Sequence, residues 1–554
     1  MTDIRRTVLW VVFSMSLVML WDGWNKHNGR PSMFSPTPVT APATPVGTND
    51  PAASVAVPAA VPGAAPGAPA SAVGAATSTP AAAPVTPASI QATEKVTIST
   101  DVLRATIDTR GGALVRLELV GQADPVDDSR NVVLFDQSAQ RLYTAETGLA
   151  RTGGGVELPN QDSPMTVEPG PTTLANGEDE LQVRLVSETN GVKLTKTYTF
   201  RRGDFVIGVL QEVSNGTSAP ISPELYFQLQ RDGNAPAGES SMYSTFTGPA
   251  LYTDASKFKK IAFSDIEKRG PRDKIDHEVE ADNGWVAIVQ HYFVTAWLLG
   301  NEGEEKRPRR FETKKIGTNR YAVNMIVPLG TVAPDATVAL PARLFAGPQE
   351  EYKLEKVAPG LQLVKDYGLL KILSEPLFWL LTQLHKIFGN WGWSIIGLVV
   401  ILKVVFYWLN ASAYRSMAKM KAVAPRVTEL RERLKDKPQQ MQQEMMRIYR
   451  EEKVNPIGGC LPMLAQMPFF IALYWVLLSS VEMRGAPWIG WVTDLSRPDT
   501  LFGTLPFLNV PIGLLPILMT LTSLVQTWLN PTPPDPLQAK MMWIMPLVFS
   551  VMFF

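Results

Sequence analysis

The chain has 554 residues, enough for several domains, and its 52 Lys and Arg residues balance its 52 Asp and Glu residues. Because the net charge is zero, the composition does not indicate nucleic-acid binding, and any basic surface has to be local. The single cysteine, Cys460, excludes an internal disulfide. The four histidines lie far apart in sequence and do not form a His/Cys metal-binding pattern.

The N-terminal region predicts a membrane anchor followed by a tether. Arg5 and Arg6 precede an apolar run from Thr7 to Trp21, and no small-x-small cleavage motif follows. This pattern favours an uncleaved signal-anchor helix within residues 1–30, with a cytoplasmic N-terminus, over a cleaved signal peptide. Residues 31–94 are rich in Pro and Ala and almost free of charge, which predicts a disordered tether.

Residues 95–350 consist of short runs in which apolar and polar side chains alternate, separated by Gly, Asn and Asp turns such as SETNG and SNGT. The pattern predicts an antiparallel all-β domain, a large sandwich. We interpret residues 285–300 as one aromatic strand and His291 within it as a structural histidine. A sugar-binding groove is conceivable in such a fold, although no residue pattern indicates one.

An apolar run with one charge, WGWSIIGLVVILKVVFYWL, begins at Trp391, and its length matches a membrane-spanning helix. Its charge, Lys403, lies near mid-depth, where it costs about 2.5–3.5 kcal/mol on insertion scales. The other predicted spans contain no acidic residue that could pair with it. Lys403 therefore either snorkels to the cytoplasmic interface or lines a water-filled cavity. The separation from Tyr414 and Arg415, about 15 Å along a straight helix, favours the cavity.

The remaining segments alternate between apolar runs and charged connections. Residues 413–453 carry 11 Lys and Arg against six Asp and Glu, which predicts a cytoplasmic basic helical hairpin, whereas the connection 482–509 has a net charge of −1. The full prediction is an interfacial amphipathic helix at 351–390 (alternatively a helix packed on the β domain), spans at 391–412, 457–481 and 510–530, a hairpin at 413–456, a periplasmic loop at 482–509, a cytoplasmic loop at 531–540, and the start of a fifth span at 541–554.

Several motifs resemble those of the YidC-type membrane protein insertases of Gram-negative bacteria. They are YRSMAKMKAVAPRV (414–427), EEKVNPIGGCLPMLAQMPFFIALYWVL (451–477), VEMRGAPWIGWVTDLS (481–496) and DPLQAKMMWIMPLVFSVMFF (535–554). The similarity extends over essentially the whole chain and is weakest in 31–94. It implies a multi-domain inner-membrane protein in which a transmembrane helical bundle carries a periplasmic β-supersandwich.

The resemblance also implies function and site. A protein of this family inserts small membrane proteins alone, assists others beside the Sec translocon, and carries a basic residue, usually Arg, in a hydrophilic groove. Lys403 occupies the matching position. We expect its clients to contact Gln466, Met467, Pro468, Phe470, Met519, Thr522 and Gln526. We expect the nascent chain or ribosome to contact Arg415, Lys419, Lys421, Arg426, Arg431 and Arg433.

Two departures from the family pattern bear on this expectation. Lysine keeps the charge of arginine but lacks its bidentate fork. The family continues with the rest of the fifth span, a sixth span and a basic tail, so we expect the sequence to be truncated at Phe554.

The chain contains no Walker-type GxxxxGK[ST] motif, so we predict that no nucleotide drives it. Because the β domain shows no catalytic constellation and the histidines are scattered, we also predict a protein that is not an enzyme and uses neither cofactor nor metal. Two alternatives remain open: a solute transporter with Lys403 as its anion site, and an envelope-anchored carbohydrate-binding protein.

Overall fold

The computed structural model describes residues 94–553, apart from residues 128, 139, 152–156, 237, 239–244, 271–272, 274, 276, 278, 301–305, 435–436, 454–460, 504–510 and 530–535. The predicted anchor (1–30) and all of the predicted tether except Glu94 lie outside the described residues. Parts of five further predicted segments lie outside the described residues as well. They are 435–436 and 454–456 of the hairpin, 457–460 of the span 457–481, 504–509 of the loop 482–509, both end residues of the span 510–530, and 531–535 of the loop 531–540.

The N-terminal half of the described chain is a sandwich of two antiparallel nine-stranded sheets. Its strands are β1 Lys95–Ser99, β2 Leu103–Asp108, β3 Ala113–Ala123, β4 Asn131–Gln137, β5 Leu142–Arg151, β6 Thr166–Val167, β7 Glu180–Thr189, β8 Val192–Arg201, β9 Val206–Asn215, β10 Pro223–Asp232, β11 Gly248–Thr253, β12 Lys257–Lys260, β13 Glu280–Ala281, β14 Trp285–Val289, β15 Phe293–Leu299, β16 Arg309–Gly317, β17 Arg320–Pro328 and β18 Thr337–Pro348. One sheet has the order 1-2-3-4-5-10-17-16-13, and the other has the order 12-11-14-15-18-9-8-7-6.

The burial of the strands follows the alternation in their sequences. In β7 the exposed and buried positions alternate along the strand, because one face packs on the opposite sheet and the other meets water. Strand β14 is buried at every position, since its second face is covered by the segment that follows the sandwich.

Buried polar side chains form hydrogen bonds between the two sheets of the sandwich. The Trp297 indole of β15 donates to the Gln228 carbonyl of β10 at 3.1 Å, and the Tyr143 hydroxyl of β5 pairs with Thr295 of β15. The buried Lys196 ammonium of β8 donates to the carbonyls of Gly111 (2.6 Å) and Thr147 (2.7 Å). These bonds fix the register of one sheet on the other, because an unpaired buried polar group is costly.

The interpretation of residues 285–300 as a single strand is wrong. The structure forms a hairpin in which Trp285–Val289 pairs with Phe293–Leu299, and His291 lies in the turn. The His291 ring stacks on Tyr292 at 3.9 Å between centroids, and its Nε2 contacts the Leu478 carbonyl at 2.8 Å. Period-two patterning could not show the turn because both strands are apolar at nearly every position.

The described helices are α1 Phe263–Lys268, α2 Glu351–Val357, α3 Lys371–Phe388, α4 Trp391–Val405, α5 Tyr407–Arg433, α6 Pro438–Glu451, α7 Leu461–Ser479, α8 Leu514–Leu529 and α9 Pro536–Phe553. Within the described ranges no single helix is long and apolar enough to cross a membrane, whereas the pair α4 and α5, bent by 62°, meets that test together. Shorter apolar helical stretches are Leu464–Ser479, Leu514–Leu529 and Ala539–Val548.

The predicted span 391–412 is therefore not one straight helix. It breaks at Phe406, whose φ of −85° and ψ of 7° depart from helical values. The β-branched residues Val404 and Val405 precede the break and have low helix propensity. The Phe406 ring then packs edge-on against Phe469 of α7, with centroids 5.0 Å apart.

Two apolar clusters organise the helical half. Leu354, Ala358, Leu361 and Val364, in and after α2, pack on the outer face of β14 and its neighbours. Helices α3, α4 and α7 share a second cluster that includes Leu381, Leu398 and Leu473. The segment predicted as one interfacial helix at 351–390 is thus divided: α2 covers the sandwich, and α3 packs on α4 and α7.

Candidate functional site

Lys403 lies in the last turn of α4 with an exposed side chain. Its Nζ is 5.5 Å from the centroid of the Phe470 ring on α7, a distance at which a cation and an aromatic face attract one another. Among the residues that the structure describes, none forms an ion pair with Lys403. Lys403 is thus an exposed charge with an aromatic neighbour.

Helix α7 divides the predicted contact residues between two faces. Gln466 lies on the buried face with Phe469, Leu473 and Val476, whereas Met467 and Phe470 lie on the exposed face with Tyr474. The Nε2 of Gln466 is buried and has no hydrogen-bond partner among the described atoms. Of the predicted contact residues on α7, Met467 and Phe470 are therefore exposed, with Phe470 beside the α4 side chain Lys403, and Gln466 is buried behind them.

Pro468 lies inside α7, two residues before Phe470. A proline in a helix interior removes one backbone hydrogen bond and leaves a carbonyl of the preceding turn without its usual donor. The local backbone beside Phe470 is therefore more polar and more easily deformed than in a regular apolar helix.

The three predicted contact residues of α8 are placed differently. Met519 is half-buried, and Thr522 and Gln526 are exposed. The Thr522 hydroxyl donates to the carbonyls of Leu518 and Met519 at 2.9 Å, so it is satisfied within its own helix. Helix α8 packs on α9, where Thr520 pairs with Ser550. No hydrogen bond, ion pair or ring contact among the described residues joins α8 to Lys403.

The predicted basic residues lie on α5. Arg415, Lys419 and Lys421 are exposed, as is Arg433, whereas Arg431 is half-buried. Arg426 forms an ion pair with Glu452 at 2.5 Å. Val423 and Val427 of α5 pack on Met445, Ile448 and Tyr449 of α6, which holds the two helices together.

The bend at Phe406 changes the argument about the depth of Lys403. Twelve residues separate Lys403 from Arg415, the farther member of the pair Tyr414 and Arg415, so the rise to it along a straight helix is about 18 Å. A 62° bend at Phe406 reduces that rise, measured along the axis of α4, to about 11 Å. A lysine side chain reaches about 6 Å. The distance between the end of the Lys403 side chain and the level of Arg415 is therefore shorter in the bent pair than along a straight helix. The bend thus weakens the sequence-based reason to prefer a cavity over snorkelling.

Sequence reasoning missed a buried charge cluster where the sandwich meets the helices. Lys365, which follows α2, has a side chain with 0% exposure and lies 3.3 Å from Glu482, in the loop after α7. Burial lowers the pKa of Lys365 and raises that of Glu482, and each charge opposes the shift of the other. The sequence signal that could have indicated this cluster is Glu482 itself, a carboxylate placed directly after the apolar run that ends at Val481.

Asn390 and Gly392 attach the start of α4 to the same loop. The Asn390 side chain caps α4 by accepting from the Trp393 N–H, and its Nδ2 donates to the carbonyls of Pro487 (3.0 Å) and Trp488 (3.2 Å). A side chain at Gly392 would meet the Trp488 ring at 2.2 Å. The loop therefore contacts the N-terminus of α4 as well as the C-terminus of α7.

Comparison with known proteins decides the family. The family described as "YidC periplasmic domain" matches residues 95–380, and the one described as "60Kd inner membrane protein" matches residues 383–554. The chain belongs to the YidC family. Relatives named "Membrane protein insertase YidC" include those of Janthinobacterium sp. (50% identical, covering 100% of this chain and 94% of that protein) and Cupriavidus necator (53% identical, 100% and 93%).

These matches identify the sandwich as the YidC periplasmic domain and place the helical half in an inner-membrane protein family, as the sequence resemblance implied. Among solved structures, a putative aldose 1-epimerase from Escherichia coli K12 is similar at 10% identity, with a TM-score of 0.28, over 46% of this chain and 98% of that one. A similarity of that size carries no argument about this chain. Across the described ranges no group of three or more His, Cys, Asp or Glu side chains is placed to hold a metal ion.

Proposed function

We propose that this chain is a membrane protein insertase and chaperone of the bacterial inner membrane, with Lys403 as the charge that receives clients. Family membership over the full length carries the proposal. The placement of Lys403 supports it, because the ammonium is exposed beside Phe470 and has no acidic partner among the described residues.

The proposed topology follows from charge and from the family. The N-terminus lies in the cytoplasm, the sandwich in the periplasm, and the basic hairpin in the cytoplasm, as its excess of Lys and Arg predicts. The bent pair α4 and α5 supplies the second span, α7 and α8 supply the third and fourth, and α9 belongs to a fifth. The acidic loop after α7 faces the periplasm beside the sandwich that it contacts.

In the proposed mechanism the hairpin receives the nascent chain or its ribosome, and a polar client segment then meets Lys403. Two opposite charges 4 Å apart attract by about 4 kcal/mol at an effective dielectric constant of 20, against about 1 kcal/mol in bulk water. Partial shielding by the apolar helices therefore makes one lysine sufficient to hold an acidic segment. The apolar client segment passes along Met467 and Phe470 into lipid.

No nucleotide is needed for this cycle. Transfer of apolar surface out of water is favourable by about 25 cal/mol per Å². The membrane potential contributes about 2.3 kcal/mol for each charge moved across 100 mV. Larger clients are handled together with the Sec translocon, which supplies the channel while this chain supplies the lateral apolar face.

The decisive experiment replaces Lys403 by Glu in cells depleted of their own insertase. Reversal of the charge turns attraction into repulsion, so insertion of clients with acidic N-terminal segments should fall by about 100-fold or more. Insertion is measured by protease accessibility of a pulse-labelled client.

Two controls make this result specific. Lys403→Arg keeps the charge and should retain insertion, and Lys386→Glu reverses an exposed charge of α3 outside the proposed site and should have little effect. Wild-type insertion by the Lys403→Glu chain would overturn the proposed role of Lys403.

The comparisons lend no support to the two alternative functions. Neither solute transport nor carbohydrate binding is named in the matched families or in the relatives given above. The similarity to epimerase-like sandwiches has a TM-score too low to argue for sugar binding.

A further inference from the structure

The strongest unexplained feature is the buried ammonium of Lys365. Its Nζ lies 3.3 and 3.4 Å from the two carboxylate oxygens of Glu482, 3.9 Å from Glu351, and 3.6 Å from the centroid of the Phe378 ring. The Tyr367 hydroxyl donates to Glu351 from the same side. No step of the proposed insertion cycle uses any of these groups.

These contacts join four separate parts of the chain. Glu351 begins α2, Lys365 follows the turn Leu361–Val364 that covers the sandwich, Phe378 belongs to α3, and Glu482 lies three residues after the end of α7. The Lys365 side chain has 0% exposure, and those of Glu351 and Glu482 have 21% and 15%. Salt screens the attraction between buried charges only weakly. Removal of any one of these three charged groups would leave the others buried without full compensation.

Further contacts hold the same end of α7 against the sandwich. The His291 ring contacts the carbonyl of Leu478, in the last turn of α7. Arg484 donates to the Ala123 carbonyl at 2.6 Å and lies over the rings of Tyr292 and Phe293. Arg497 donates to the Asp124 carbonyl at 2.7 Å. His291, Arg484 and Arg497 thus make hydrogen bonds to uncharged backbone carbonyls or contacts with aromatic rings. Among the described residues, Lys365–Glu482 is the ion pair between the segment after the sandwich and this loop.

We propose that Lys365 is a positioning residue for insertion: through Glu482 it anchors the C-terminal end of α7 to the periplasmic domain. The anchored helix presents Phe470 beside Lys403, and Met467 lies on the same exposed face of the helix. This inference rests on the proposed function, because it assigns the anchor a role in the same reaction. Lys365 contacts no client and acts only through the placement of α7.

The energetics of buried pairs make the proposal testable. Loss of one partner leaves the other charge buried without compensation, whereas loss of both can be nearly neutral. Lys365→Met leaves the carboxylates of Glu351 and Glu482 facing each other, so the C-terminal end of α7 should dock less tightly while the His291, Arg484 and Arg497 contacts remain. Adding Glu482→Gln removes one of those charges and should restore much of the docking.

The first readout is the position of α7. In a Cys460→Ser background, spin labels at Lys193→Cys on the sandwich and Leu464→Cys on α7 report one distance distribution in the full chain. Both sites have exposed side chains. The distribution should broaden with Lys365→Met and with Glu482→Gln alone, and should narrow again in the Lys365→Met/Glu482→Gln chain.

The second readout is insertion of an acidic client by equal amounts of folded chain in proteoliposomes. Lys365→Met should lower the rate by about tenfold, and the double variant should recover most of it. Lys353→Met is the matched control, because Lys353 of α2 forms an exposed ion pair with Glu350 at 2.9 Å. Exposed pairs contribute little, so neither readout should change.

The outcomes separate this inference from the proposed function. An unchanged distance distribution in Lys365→Met overturns the anchor, as does a broadened distribution with an unchanged insertion rate. If Lys365→Met does not fold, Glu482→Gln decides in the same way. Loss of insertion in Lys403→Glu with normal insertion in Lys365→Met overturns the anchor alone. Normal insertion in Lys403→Glu overturns the proposed role of Lys403, and the distance measurement still tests the docking.

Discussion

At the scale of the residue, three lysines differ in the environment of their ammonium groups. Lys403 is exposed beside one aromatic ring, Lys365 is buried between carboxylates, and Lys196 is buried on two backbone carbonyls. Burial lowers the pKa of Lys196 to about 7, with Glu146 opposing the shift. Only the surroundings distinguish the charge that we propose receives clients from the charges buried in the fold.

Lys196 should make the stability of the sandwich depend on pH. Its folded pKa is about 7 and its unfolded pKa about 10.5, so between these values the unfolded chain binds more protons. The free energy of unfolding should therefore rise as the pH increases from about 7 to about 10.5, whereas below pH 7 both states are protonated and the contribution is constant. Urea unfolding of the detergent-solubilised chain, followed by fluorescence, measures this slope.

Lys196→Met is the comparison for that measurement. It removes the titrating group, so the rise between about pH 7 and about 10.5 should disappear. It also leaves the carbonyls of Gly111 and Thr147 without their donor, so above about pH 10.5 it should unfold at lower urea than the unmodified chain. An equal pH slope in the two chains would show that Lys196 does not titrate in this range.

At the scale of the element, the bend between α4 and α5 decides how the charged part of the chain leaves the apolar part. Arg415, Lys419 and Arg426 are spaced by four and seven residues, so they lie along one stripe of α5. Val423 and Val427, which pack on α6, occupy the adjacent face. The stripe is thus held in place by an apolar contact and by the Arg426–Glu452 pair.

Reversal of the stripe should weaken the proposed contact with the ribosome. The Arg415→Glu/Lys419→Glu chain should bind ribosomes about tenfold less tightly at low salt, because attraction to phosphate becomes repulsion. Co-sedimentation with salt-washed ribosomes measures the affinity. A comparison of single reversals tests the stripe: Lys421→Glu, on another face of α5, should lower the affinity less than Lys419→Glu does. Equal losses for these two variants would contradict a stripe-specific contact.

At the scale of the whole molecule, the sandwich and the helices meet through the segment after β18 and the loop after α7. Removal of residues 100–340 would leave Glu351, Lys365, Glu482 and Lys403 in place, but would uncover the apolar face formed by Leu354, Leu361 and Val364. We expect the shortened chain to accumulate to a lower level while each molecule retains most of its insertion activity. Complementation normalised by immunoblot tests this, and complete loss of activity per molecule would place function in the sandwich.

The sequence by itself determined the β domain, the start of one helix and the family. Period-two runs predicted an antiparallel β domain, Pro438 predicted the start of the second hairpin helix, and the motifs predicted the family. These features depend on local patterning, which a window of about ten residues contains. The same patterning identified Lys403 as an unpaired charge, since no acidic residue occurs in the neighbouring apolar runs.

Only the tertiary structure decided which residues meet. It separated Gln466 from Met467 and Phe470, placed His291 in a turn against α7, bent the second span at Phe406, and paired Lys365 with Glu482, 117 residues away. None of these relations has a periodic signature, because each depends on packing between segments that are distant in sequence. The isolated charge of Lys403 could be read from the chain, but the anchor that holds its neighbouring helix could not.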